Sequence, residues 1–511
     1  MAATRSCAMQ AGREGWVVAL EGYLPGRGRI IGKRPPQQAE GVATVGGQTQ
    51  GGSARPQGGK HRPFRARILH AASWSMGGYV LLQFLRIASS LVLTRLLIPE
   101  MFGVMAVATM VQVAVAMLSD VGLRPAAIQS RMGDEPAYLN TAWTLQLAHG
   151  VLIWLVCTGI AWGIAQANGW GWFPPGSVYA EPALPTVIAV LCFVTVISGL
   201  QSTKVITAYR ELALARVTGI ELVAQLVSLA VAVVLAWQTR SIWSFVAAAW
   251  CSAVVSTVLS YWWLPGHNNR FAFDRQAVND LIRFGKWVLL SSAFTVLAAN
   301  GDKILLAGWV TPTMLGLYAL GFNLVAMLEG AGNRLFSSVA MPALSKVYRE
   351  EPQRLATVFL KMRLPFDITF VCAAGAMFAM GTDLIDLLYD ERYAGAAVVL
   401  KALSFGLLIA RFGVISNVYL AIGEPRHLTL LNLVRGLSVF TLVPLGYTLN
   451  GFEGALWAIA LHGLPGTFLL WSLNRRHHLN SLGLEVATLC LWPLGYAGGL
   501  LGSWVIAQTV S

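Results

Sequence analysis

The chain has 511 residues, of which 56% are hydrophobic and only 12% charged, with a mean hydropathy of +0.60. So little polar surface cannot cover a soluble globule of this length, which excludes a soluble enzyme or binding module and leaves an all-α polytopic membrane protein. The formal net charge of +13 does not point to nucleic acid, because residues 1–67 carry eleven Lys and Arg against three Glu and supply +8 of it.

Residues 1–67 form the first region, a basic tail rich in Gly, Gln, Pro and Arg without a sustained apolar period, and are expected to be disordered. Trp16 to Leu20 is too short for the core of a secretory signal, and no small-residue cleavage site follows it, so a cleaved signal peptide is not expected. From Ser73 onward, stretches of about twenty apolar residues alternate with short polar connections, the length a helix needs to cross about 30 Å of hydrocarbon. Thirteen can be counted, at 73–94, 101–122, 141–165, 183–203, 212–236, 242–264, 285–309, 314–336, 362–386, 396–420, 428–449, 453–473 and 485–508, within a range of 12–14. The last, with Pro493 and four glycines, is the weakest of them. Six cysteines without C-x-x-C spacing suggest neither a disulfide nor a metal site.

The connections after the first and seventh stretches share a pattern: Pro-Glu-Met-Phe-Gly-Val-Met-Ala at 99–106 and Pro-Thr-Met-Leu-Gly-Leu-Tyr-Ala at 312–319, 213 residues apart. This spacing predicts an internal repeat, with six helices in residues 68–264, a cytoplasmic linker at 265–284, six more in 285–473, and an extra helix in 474–511. Lys and Arg gather on alternate connections, including Arg124, Arg131, Lys204, Arg210, Arg216, Arg270, Arg275, Arg283 and Lys286, which places the N-terminus in the cytoplasm.

Charged residues inside spans are costly and usually face a bundle interior or a watery cavity. Gln83, Arg86 and Ser90 share one stripe of the first helix, with Arg86 near mid-membrane. In the seventh, Ser292, Thr295, Ala299 and Asp302 form the corresponding stripe. These positions suit a hydrogen-bonding cationic site for an anionic substrate at Arg86 with an ion or proton site at Asp302, or alternatively a structural Arg–Asp pair between the halves. Arg411, and Arg435 a turn from Asn432, extend the cationic lining, and Glu329 is a second ion-coupling position. Lys303 is expected to be structural, with room to snorkel to the outer interface, Arg363 and Asp367 to form a local pair, and Glu221 with Gln225 to be functional polar groups or, alternatively, to make interhelical hydrogen bonds. No nucleophile, metal-ligand or phosphate-loop constellation is present in usable context.

The two six-helix halves, Leu-Thr-Arg-Leu-Leu-Ile-Pro-Glu-Met-Phe-Gly-Val-Met-Ala at 93–106, and Asn300-Gly301-Asp302-Lys303 leading to Leu315-Gly316-Leu317-Tyr318-Ala319, resemble the polysaccharide-export flippases. These are the Wzx-type, O-antigen and exopolysaccharide branch of the multidrug/oligosaccharidyl-lipid/polysaccharide exporter superfamily, and the resemblance covers residues 70 to about 475. It implies an undecaprenyl-diphosphate-linked oligosaccharide as substrate and a bacterial inner membrane with its lipid as surroundings; alternating access about the cleft, with an inward gradient of Na⁺ or H⁺ acting at Asp302, is the expectation that the repeat and the buried charges add. It implies no cofactor, and names polysaccharide polymerase and export proteins as partners. The basic tail departs from the family pattern. Two alternatives stand beside this reading: a cation-coupled multidrug exporter of the same fold, and a membrane polysaccharide polymerase or ligase. The second is expected to carry a large outer loop with catalytic charge, whereas residues 166–182 hold a single acid.

Overall fold

The computed structural model describes residues 64–119, 127, 135–211, 213–275, 278, 295–296 and 298–510, with side chains described from 77 to 508 apart from 119. Most of the expected tail, the connection holding Arg124 and Arg131, the later part of the linker, and the start of the seventh span with Ser292 lie outside these residues.

Among the described residues there is no strand. The helices are α1 (Phe64–Leu96), α2 (Pro99–Ser119), α3 (Pro136–Gly169), α4 (Ala183–Cys192), α5 (Val194–Gly199), α6 (Lys204–Arg210), α7 (Leu214–Thr239) and α8 (Trp243–Trp262). They continue with α9 (298–309), α10 (Pro312–Leu335), α11 (Met341–Glu350), α12 (Leu355–Leu388), α13 (Ala396–Ile415) and α14 (Val418–Ala421). The last are α15 (Pro425–Leu461), α16 (Leu464–Arg475), α17 (Leu482–Leu489) and α18 (Trp492–Val510). Ten helical stretches among the described residues are long and apolar enough to span a membrane, and eleven if the pair Ala183–Gly199 and Lys204–Arg210, bent by 65°, is one broken span. The protein is a polytopic helical membrane protein.

The break in that bent pair has a chemical cause. Helix ends leave carbonyls without intrahelical partners, and the Gln146 amide of α3 donates to three of them, at Ser198 (3.3 Å), Gly199 (3.0 Å) and Gln201 (3.2 Å). The residues after α8 are pinned rather than loose: the backbone N–H groups of Arg270, Ala272 and Asp274 donate to Asn140, Thr144 and Thr141 near the start of α3.

A second break separates two spans within one continuous helical run, Pro425–Arg475. Asn450 and Gly451 leave helical geometry, Gly451 with a φ of +56° that favours glycine. Eight residues of straight helix would hold Gly446 about 12 Å from Gly454. Instead, a Cβ on Gly446 would stand 2.4 Å from the Gly454 carbonyl oxygen, and one on Gly454 would stand 2.1 Å from the Gly446 oxygen. The chain therefore doubles back here as a hairpin, matching the separate stretches read at 428–449 and 453–473.

The two Pro-containing turns each open a helix, with Pro99 and Pro312 in the first turn, where a missing N–H costs nothing. Thr311 caps α10 by accepting from the Met314 N–H at 3.3 Å. The glycine four residues into each helix has its reason in the other copy. A Cβ on Gly103 would lie 2.0 Å from the Pro312 carbonyl oxygen, and a Cβ on Gly316 would lie 2.0 Å from that of Pro99. Thr313 adds a hydrogen bond of 2.7 Å to Glu100, again across 213 residues. This reciprocity relates the two turns; it does not by itself relate the halves.

The weakest of the stretches read from the sequence, Leu482–Gln508, is long and apolar enough to span, and its α18 packs closely on α12. Small residues let the α12 and α18 backbones approach closely. A Cβ on Gly495 would sit 2.2 Å from the Cys372 carbonyl oxygen, one on Gly499 2.5 Å from that of Ala376, and one on Gly375 2.4 Å from that of Trp492.

Candidate functional site

Among the described residues, three polar groupings within the apolar bundle involve the side chains singled out from the sequence. The first is a cavity of about 450 Å³ lined by Tyr79, Gln83 and Arg86 of α1, Thr218, Glu221 and Gln225 of α7, Ser252 and Ser256 of α8, and Arg334 of α10. Gln83 and Arg86 are one turn apart, so both project into it, and the Arg86 guanidinium donates to the Gln83 carbonyl at 3.2 Å. Arg334 comes from the C-terminal part of the chain and stacks over the Tyr79 ring at 4.9 Å. Two guanidiniums, one carboxylate and several amides and hydroxyls thus share a space inside a bundle that is otherwise apolar. Such a lining can replace the hydration of an oxyanion through charge-assisted, bidentate hydrogen bonds.

The second grouping surrounds Asp302. Its carboxylate accepts a very short hydrogen bond from the buried Tyr318 hydroxyl and lies 3.8 Å from the Lys303 ammonium. Glu329 lies one helix away and faces Arg435, and His462 is within electrostatic reach of both Asp302 and Arg435. Arg435 fits because its neighbours are glycines: a Cβ on Gly413 would come within 3.1 Å of its Nη1, and one on Gly466 within 3.1 Å of its Cγ. Asn432 donates to Thr295 at 3.5 Å. Asp302, Glu329 and Arg435, read separately from the sequence, therefore lie within electrostatic reach of common neighbours, Tyr318 and His462, around α9, α10 and α15.

The third is an ion network of four. Arg363 pairs with Asp367 at 2.6 Å and with Glu485 at 2.5 Å, while Arg411 pairs with Asp367 at 3.4 Å and with Glu485 at 3.1 Å. Arg411 also donates to Thr488 at 2.9 Å, and both guanidiniums lie over the Phe412 ring. Each arginine is 1% exposed and Asp367 is fully buried. Two positive and two negative charges balance, as burial in hydrocarbon requires.

The structure thus separates residues that sequence reading had grouped. Gln83 and Arg86 line the first cavity, whereas Ser90, on the same stripe, meets Tyr389 at the end of α12. Arg411 belongs to the ion network, not to the cavity, because Asp367 and Glu485 hold its guanidinium. Arg86 and Asp302 are not each other's partners: Arg86 binds Gln83, and Asp302 binds Tyr318 and Lys303. Lys303 does not snorkel outward, since the Asp302 carboxylate and the Phe322 ring, 3.9 Å below its ammonium, hold it inside. The expected Arg363–Asp367 pair is present, within the larger network.

Contacts that join the first and second parts of the chain gather at the end where Pro99 and Pro312 meet. The Arg392 guanidinium donates to the carbonyls of Thr94 (3.1 Å) and Arg95 (3.3 Å), Tyr393 to that of Leu97 (2.8 Å), and Tyr179 to that of Ile304 (3.1 Å). The cavity of Arg86 lies deeper, away from this end.

A family model described as "Polysaccharide biosynthesis protein" matches residues 92–398, more than half of the chain. The chain belongs to that family. Among curated proteins, this family member is 23% identical over 346 residues to the lipopolysaccharide biosynthesis protein WzxC of Escherichia coli (strain K12), covering 66% of each chain. It is 26% identical over 191 residues to the teichuronic acid biosynthesis protein TuaB of Bacillus subtilis (strain 168), covering 35% of this chain and 38% of TuaB. The chain thus spans slightly under two thirds of the first relative's length and well under half of the second's. Among solved structures, the lipid II flippase MurJ in an inward closed conformation superposes with a TM-score of 0.62 at 10% identity, over 86% of this chain and 98% of MurJ. An inward-facing multidrug resistance MATE family transporter of the MOP superfamily gives 0.57 at 15% identity, over 84% of this chain and 96% of the transporter. The fold of this family member is therefore that of the MOP-superfamily transporters.

Sequence reading missed Arg334 and Glu485. A cation ending a helix and an acid beginning one look interfacial, and nothing local marks their partners in other helices. Glu221 and Gln225, for which interhelical hydrogen bonding was the alternative reading, line the cavity beside Arg86.

Proposed function

We propose that the protein is a flippase that carries an undecaprenyl-diphosphate-linked oligosaccharide across the bacterial inner membrane for surface polysaccharide synthesis. The observation that carries this reading is the cavity holding Arg86, Arg334, Gln83 and Gln225 within the bundle, between helices from both parts of the chain. A diphosphate–sugar head cannot cross hydrocarbon with its charges and hydroxyls unsatisfied. Guanidiniums match the diphosphate, amides and hydroxyls match the sugar, and the lipid tail stays in the bilayer. Family membership and the transporter fold support the same reading.

With the N-terminus in the cytoplasm, the end at Pro99 is the periplasmic one, and the contacts of Arg392, Tyr393 and Tyr179 keep that face shut. Transport then requires them to part as the halves rock about the central site. Asp302 and Glu329 are the sites at which an inward gradient of Na⁺ or H⁺ acts, and Arg435 sets the field around Glu329. The test is flux of a fluorescent undecaprenyl-diphosphate oligosaccharide in proteoliposomes. We expect movement that depends on protein and is lost in Arg86→Ala. Normal flux in that variant would refute the assigned site, and no flux by wild-type protein would refute the function.

A further inference from the structure

A groove of about 490 Å³ lies at the Pro99 end, walled by Leu91 and Val92 of α1, Val233 and Trp237 of α7 and Leu387 of α12, with Arg95 as the one charged residue in its lining. It opens outward, since Val92, Trp237 and Leu387 are all exposed. Uneven packing creates it. Helix α1 closes on α7 through Leu93 and Leu97 against Ala232 and Ala236. By contrast, polar groups at the end of α12 tie it to α1: Tyr389 meets Ser90, and Arg392 reaches the Thr94 and Arg95 carbonyls. Leu91 lies five residues, or about 8 Å, below the end of α1, so the groove sits where hydrocarbon gives way to headgroups. The Arg95 guanidinium is exposed and makes no hydrogen bond or ion pair among the described residues. The Asp390 carboxylate feels its charge but is taken up by Arg392, whose Nε donates to both oxygens at 3.1 Å. Asp386, on the last turn of α12, is not in the wall.

We propose that this groove binds an anionic phospholipid of the outer leaflet, with the phosphate on Arg95 and an acyl chain along the apolar wall, and that the bound lipid holds the Pro99 end shut. A guanidinium above an apolar wall has the polarity of such a lipid read from headgroup to chain, and its planar fork matches phosphate oxygens. Trp237 suits the same interface. Two walls come from the first part of the chain and one from the second, so parting of α12 from α1 dismantles the site. A ligand that binds one state and not the other draws the equilibrium toward the state it binds. The hold on this end rests on the flippase reading, in which the end must open; the binding itself does not.

The experiment uses the full-length protein. Native mass spectrometry in detergent compares binding of dioleoylphosphatidylglycerol, dioleoylphosphatidylcholine and undecaprenyl diphosphate. Proteoliposomes of phosphatidylcholine, with and without phosphatidylglycerol, report modification of Thr94→Cys by an impermeant thiol reagent, Thr94 being fully buried while the end is shut. Phosphatidylglycerol should bind at least about fivefold more tightly than phosphatidylcholine and slow the modification by a similar factor. Arg95→Gln should remove both effects, and Arg95→Lys should keep part of each. Equal binding of the two phospholipids, or a preference that survives Arg95→Gln, overturns the site. A preference without slower modification overturns the hold on the end. Tighter Arg95-dependent binding of undecaprenyl diphosphate than of phosphatidylglycerol assigns the groove to the transported lipid and overturns the phospholipid. Absence of substrate flux with the Arg95-dependent preference intact refutes the flippase reading and leaves the lipid site standing.

Discussion

Gly103 and Gly316 face one another's helix starts: each stands where a Cβ would strike the carbonyl oxygen of the proline that opens the other helix, at 2.0 Å in both directions. Neither contact can be relieved by a side-chain rotation, because the obstacle is backbone. Replacing either glycine by valine should force α2 and α10 apart and cost about 1–3 kcal/mol or more. The check is the unfolding midpoint of the purified variants in detergent. Because both substitutions act at one crossing, the double variant should lose less than the sum of the singles.

Arg86→Ala should reduce substrate flux at least about tenfold while folded protein in the membrane stays at the wild-type level, since a guanidinium–diphosphate contact is charge-assisted. Arg86→Lys should recover only part of it, because an ammonium lacks the planar fork. Flux in proteoliposomes together with fluorescence-detected gel filtration separates transport from folding.

Asp302→Asn should abolish any response of flux to a Na⁺ or H⁺ gradient while retaining the partnership with Tyr318. Imposing each gradient in turn on wild-type and variant proteoliposomes reads this directly. A wild-type flux indifferent to both gradients would sink the coupling idea.

Glu485→Gln should destabilise the protein by about 3–5 kcal/mol, because it leaves two buried guanidiniums facing the single carboxylate of Asp367. Substrate flux per folded molecule should not change, since Arg363 and Arg411 stand outside the cavity of Arg86. A thermal midpoint equal to that of wild type would count against the network.

At the Pro99 end, the hydrogen bond from Arg392 holds the Asp390 carboxyl below the ordinary range, with their charge attraction adding to it. A depressed carboxylate contributes stability above its unfolded pKa, and that contribution fades only as pH falls through the lower folded value. Closure of this end should therefore be insensitive to pH between about 5 and 8, a window that lies above ordinary carboxylate values. Accessibility of a cysteine placed at Arg95 to an impermeant reagent, measured across that range, should stay flat, and Arg392→Ala should raise it at every pH.

The architecture was largely legible because hydrophobic length is a local property: stretches of about twenty apolar residues and Pro-led turns mark helices whatever their neighbours are. The hairpin at Asn450–Gly451 could be read for the same reason. Partners were not legible, because they are set by packing between distant helices. Arg411 in mid-helix satisfies the rule for a functional charge, yet its acid lies 74 residues later at Glu485. Lys303, next to Asp302 in sequence, seemed free to leave for the interface until Phe322 supplied the face that keeps it in place. Arg86 was legible because Gln83 sits one turn before it on the same helix, so the pair needs no tertiary information.

The ion network also orders the birth of the protein. Helices α12 and α13 deliver Arg363, Asp367 and Arg411 to the bilayer well before the ribosome reaches Glu485, so the nascent chain carries one surplus positive charge through synthesis of the intervening hairpin. Only when α17 emerges does that charge find its counter-ion, and the glycines of α18 then close on α12. Residues Leu482–Val510 thus bring both the counter-charge and the close packing that the buried arginines of α12 and α13 require.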